Sequence, residues 1–150
     1  MSKIAGLKGR SPETYPTPKP SGLVSTYANV NSSSVTLHTN PTLESLLSTP
    51  ADVLPGNKAI VMYSGELETS GASVLVYIYV ILDGNPVSVY SMQIEVTSGN
   101  SPVPFSLAFE TGSLGASPDP HTIDIQAVAS IDGTATVAAN GSVVVISTYN

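Results

Sequence analysis

The chain predicts an all-β fold, an antiparallel jelly-roll/β-sandwich with an extended N-terminal arm. From Leu23 onward, short runs rich in Val, Ile, Tyr and Thr alternate with clusters of Gly, Asn, Asp, Ser and Pro, the rhythm of strands and turns. Asp83-Gly84, Asp132-Gly133 and Asn140-Gly141 each separate two such runs, and tight hairpin turns demand residues that accept positive φ. The first 22 residues differ from the rest in Pro content and in sign of charge, which divides the chain into an arm, 1–22, and a single sandwich domain, 23–150. A domain of this size buries roughly 68 to 70% of its unfolded surface, enough for a proper core.

The arm comes first. Pro12, Pro16, Pro18 and Pro20 each remove a backbone donor and bias the chain toward an extended polyproline conformation. Twenty extended residues span roughly 60 Å, about the width of a neighbouring subunit. Lys3, Lys8, Arg10 and Lys19 against Glu13 give the arm a charge of +3, whereas Lys58 against ten carboxylates gives the remainder −9, within a net charge of −6. A solvated, disordered terminus is the plain alternative. Ile4, Leu7 and Tyr15 favour an arm that orders on a partner, since a purely solvating tail has little use for apolar side chains.

The body opens with strands at 23–30 and 34–39 across the turn-prone Asn31, Ser32 and Ser33. A short helix is expected next, with Asn40 as cap, Pro41 at its first position, and Leu43, Leu46 and Leu47 on one face until Pro50 stops it. Strands follow at 58–69 and 73–82, then the Asp83 to Pro86 turn and its return strand VSVYSMQIEV. Further strands are expected at 103–110, 121–131, 134–138 and 142–149, for nine or ten in all.

One strand is apolar on both faces. Val74, Val76, Ile78, Val80 and Leu82 point one way, and Leu75, Tyr77, Tyr79 and Ile81 the other. An antiparallel sandwich normally wets its outer faces, so this outer face is expected to meet another subunit or the arm; a loop of the same chain is the alternative cover. Tyrosines suit such a contact because the ring buries area while the hydroxyl keeps a polar partner. The nine-residue run VLVYIYVIL is too short to cross a bilayer as a helix, and no apolar run of signal-peptide length lies among Lys3, Lys8 and Arg10, so neither membrane nor export is expected.

The stretch from Ser73 to Tyr149, with its LDG turn, FSLAFE, PHTIDIQAVA and DGTATVAANGSVVVIST, resembles a tumour-necrosis-factor-like jelly roll of the kind found on phage and viral surface proteins. An acidic jelly roll behind a basic, Pro-rich arm is also similar to the capsid decoration, or cement, proteins of tailed bacteriophages. That resemblance implies a non-enzymatic structural protein of the virion, a homotrimer on the capsid exterior, assembled in the host cytoplasm, with the major capsid protein as partner. The expected subunit or capsid contacts are Lys3, Leu7, Lys8, Arg10, Tyr15 and Lys19 on the arm, and Leu75, Tyr77, Tyr79 and Ile81 on the strand. The rival is a receptor-binding or carbohydrate-binding knob of a phage tail, with the loop Gly112 to Pro120 as its tip.

Catalytic, metal and cofactor sites are not expected. The absence of Cys removes disulfides, thiolate ligands and thiol nucleophiles. His38 and His121 lie on different strands without a nucleophile elbow or close ligand spacing, and each reads as a turn or strand-edge hydrogen bond. Glu66 and Glu68 share a strand face as an acid pair would, yet this is ordinary solvent-facing alternation, and there is no Trp to stack a sugar. Asp83, Asp119 and Asp132 sit in Gly/Pro turns without a dense oxygen-ligand loop, which reads as turn stabilisation rather than calcium binding. A +3 arm without interleaved aromatics makes nucleic acid an unfavoured partner as well.

Overall fold

The computed structural model describes residues 22–98 and 102–149, which form ten strands in two antiparallel sheets. They are β1 (Gly22–Val30), β2 (Val35–Thr36), β3 (Glu44–Ala51), β4 (Ala59–Thr69), β5 (Val74–Leu82), β6 (Asn85–Val96), β7 (Val103–Glu110), β8 (His121–Ala129), β9 (Ala135–Val137) and β10 (Ser142–Tyr149). The arm expected at 1–22 lies outside the described residues apart from Gly22, which opens β1.

Pairing reduces the ten strands to eight positions. β10 pairs β4 over Ala59–Ser64 and β9 pairs it over Leu67–Thr69 on the same edge, so β9 and β10 are one interrupted strand. β1 and β2 interrupt in step, pairing β10 and β9 respectively. Counting each interrupted pair once, one sheet runs 1-8-3-6 and the other, β3-β8-β5-β6, runs 2-7-4-5. This is the double Greek key of a jelly roll.

Local chemistry explains the elements. Asp83 (φ 52) and Gly84 (φ 68) adopt the two successive left-handed conformations of a type I′ turn and join β5 to β6. The core fills from the inward parity of each strand: Val61, Tyr63 and Leu67 on β4, Val76, Ile78 and Val80 on β5, Ile123 and Ile125 on β8, Val143 and Val145 on β10.

The expected helix after Asn40 is a strand. β3 pairs β8 from Glu44↔Ala127 to Ala51↔His121, and the register slips between Ser45 and Leu47. That bulge places the extra residue, Leu46, so that both it and Leu47 are buried, which alternation alone forbids. Leu43, the third member of the supposed helical face, is 42% exposed. Pro50 is accommodated inside a strand because β3 is the edge of its sheet.

Candidate functional site

Each of the two histidines is bonded to an aspartate. His121, 3% exposed, holds Nδ1 2.8 Å from Asp83 Oδ2 and donates from Nε2 to the Gly115 carbonyl at 3.2 Å. Asp83 Oδ1 also accepts from the Thr122 amide at 2.8 Å, so one turn carboxylate ties the β5–β6 hairpin to the start of β8 and to the loop before it. His38 Nδ1 lies 3.0 Å from Asp132 Oδ1, which accepts the Thr39 amide at 3.2 Å. That amide first, and the His38 ring second, hold the Asp132 carboxyl below its usual range. Glu66 and Glu68 stand exposed on the outer face of β4, and Asp119 is exposed in the loop before β8. Among the described residues no three His, Asp or Glu side chains are grouped to hold a metal ion.

The surfaces that remain are the outer faces of the two sheets. On the 2-7-4-5 sheet, β5 is central, between β8 and β6. Its inward residues Val74, Val76, Ile78 and Val80 are buried, while Leu75, Tyr77 and Tyr79 on the outer face are half-buried and Ile81 is 6% exposed. The structure thus brings these four residues together as one outward row. Tyr77 stands opposite Val128 and Gln93, and Tyr79 opposite Gln126. A hollow of about 370 Å³ opens beside the two tyrosines, lined by Thr39, Asn40, Val128, Ala129 and Ser130. Gln126 Nε2 and Ser45 Oγ both donate to Asp124, at 2.7 and 3.0 Å, giving the face a polar flank. Lys3, Leu7, Lys8, Arg10, Tyr15 and Lys19, the other expected contacts, lie outside the described residues.

The 1-8-3-6 sheet carries a second surface that sequence reasoning missed. Met62, 37% exposed, faces outward with Ala108 and Val144 over a concavity of about 500 Å³. The register Val144↔Met62↔Ala108 places these three side by side across three strands. The signal was present in the sequence: Val143 to Ile146 is apolar on both parities, as β5 is. Lys58, the one cation of the body, bonds Glu110 at 2.8 Å near the end of the same face.

No protein-family model matches this chain, and no curated protein matches it in sequence. Solved structures do match in fold. A chain from the T13 particle of infectious bursal disease virus, an icosahedral virus, superposes with a TM-score of 0.58 at 18% identity, over 91% of this chain and 34% of that one. The VP2 subviral particle of the same virus gives 0.54 at 17% identity, over 81% and 32%. Dimeric latent PorU from Porphyromonas gingivalis gives 0.51 at 12% identity, over 86% and 13%. The chain therefore spans about a third of the viral chains it matches, and at these identities the likeness is one of fold.

Proposed function

We propose that the protein is a non-enzymatic structural component of a virion, a decoration or cement protein that reinforces a capsid from outside. In this reading it is a homotrimer, its subunits contact one another through Leu75, Tyr77, Tyr79 and Ile81, and its arms reach neighbouring subunits or the major capsid protein. The observation that carries the proposal is the jelly-roll order 1-8-3-6 over 2-7-4-5 combined with an outer face apolar enough to need a cover. The fold likeness to chains of virus particles supports the same reading. Opposite charges on arm and body give association a steering field and a register, while the apolar row supplies the buried area.

Deletion of residues 1–20 tests the arm. The truncated protein is expected to melt at lower temperature and to lose assembly mass relative to the full chain. Unchanged melting together with unchanged mass would rule the arm out as a clasp. A tail knob that binds host glycans is the second reading, favoured by the hollow beside Tyr77 and Tyr79 with Thr39, Asn40 and Ser130 at its rim. Saturable glycan-array binding by the intact protein, abolished by Tyr77→Ala, would establish that reading in place of the first.

A further inference from the structure

The outer face of the 1-8-3-6 sheet carries a track along β4. Its first part is the concavity over Met62, Ala108 and Val144. At Ser64 it adjoins a second hollow of about 400 Å³, which runs past Gly65 and Pro104 to Glu66. Ser64, Ser106 and Ser142 keep the floor low, so an extended chain can approach the sheet closely. Glu68 continues the same outward parity two residues beyond Glu66. The track is thus apolar at one end and anionic at the other, over four strand residues or about 13 Å.

The chain itself contains a complement. In a polyproline backbone, with three residues per turn, Leu7 and Arg10 would share one face about 9 Å apart, and the long arginine side chain covers the remaining distance. We propose that this track is the docking surface for residues 3–10 of a second copy, with Leu7 over Met62 and Val144 and with Lys8 and Arg10 beside Glu66 and Glu68. The inference rests on the arm reading above and names the surface that receives it. A second copy is the source because of the direction in which the chain's own arm would enter the track. Gly22 lies beyond the Ala59 end of β4, since Ser25, Ser147 and Ala59 stand in one row and Ala28, Val144 and Met62 in a row farther up the sheet, so the chain's own arm running along the track would meet Met62 with Arg10 and Glu66 with Leu7, the reverse of the match.

The absence of Cys makes the test clean. Full-length Leu7→Cys protein is mixed under mild oxidation with mass-tagged Met62→Cys protein, and separately with Gln93→Cys protein, which reports on the opposite sheet. The 7–62 bridge between chains is expected to dominate over 7–93. Adding Glu66→Lys and Glu68→Lys to the Met62→Cys chain is expected to lower its yield about fivefold, as the loss of two exposed ion pairs implies. Equal yields at 62 and 93, no response to charge reversal, or closure within one chain of a Leu7→Cys/Met62→Cys double variant would each overturn the proposal. If deleting residues 1–20 disperses the assembly while no 7–62 bridge forms, the arm clasps a neighbour elsewhere. If the deletion changes nothing, the arm reading itself falls.

Discussion

Tyr63 lies beneath the interruption in the 1-8-3-6 sheet, with its hydroxyl close to Gly65 and Gly141. It is 1% exposed, its ring packs on Phe105 with centroids 5.6 Å apart, and its hydroxyl has no hydrogen-bond partner among the described residues. Asn31 beside it donates from Nδ2 to Ser33 and Ala138 carbonyls at 3.1 and 2.9 Å, which turns its own unpartnered Oδ1 toward Gly141. A Cβ on Gly141 would stand 2.7 Å from both Asn31 Oδ1 and Tyr63 Oη, so Gly141→Ala is expected to cost about 1 to 3 kcal/mol in a denaturant melt. Tyr63→Phe keeps the ring and removes the unpaired hydroxyl, and is expected to raise stability by about 1 kcal/mol. Burial pushes the Tyr63 hydroxyl up from 10.0 to about 12. A raised folded value means this contribution is complete below pH 10 and is lost as pH climbs toward 12, so the advantage of Tyr63→Phe should widen across that window. Asp132 has the opposite sign: its folded carboxyl is held low, so its contribution is present above the ordinary carboxylate value and is lost as pH falls through the folded one. In a carboxyl NMR titration its midpoint should lie below the usual range, and His38→Ala should bring it part of the way back.

At the scale of elements, β3 separates what was legible in the sequence from what was not. The Asp83-Gly84 hairpin and the strands at 103–110 and 142–149 were readable because turn chemistry and a composition rich in β-branched and aromatic residues agreed there. Around Leu43, Leu46 and Leu47 they conflicted, since spacings of three and four imitate a helix when a bulge makes two adjacent strand residues face inward. Leu46→Ala is expected to cost about 2 to 5 kcal/mol and Leu43→Ala less than about 0.5, a contrast that an amphipathic helix would not give. The runs at 34–39 and 134–138 were read as strands in their own right. Their identity as continuations of β1 and β10 depends on pairing partners more than thirty residues away in sequence, which local pattern does not encode. The same limit hid the Met62, Ala108 and Val144 surface, because it exists only once β4, β7 and β10 lie side by side.

At the scale of the whole molecule, a chain with 41% hydrophobic and 11% charged residues has little charge with which to wet two sheet faces. The outcome is a jelly roll with apolar ground on both outer faces, the Tyr77 row on one and the Met62 track on the other. Such faces are the expected ground for contacts between subunits, and a basic, proline-stiffened segment joined to an acidic body supplies one means of making them. Assembly is therefore the central claim, and the mass of the full chain in solution tests it most directly. Sedimentation equilibrium at micromolar concentration is expected to return three times 15.4 kDa, whereas a particle of 15.4 kDa that stays single as concentration rises would contradict it.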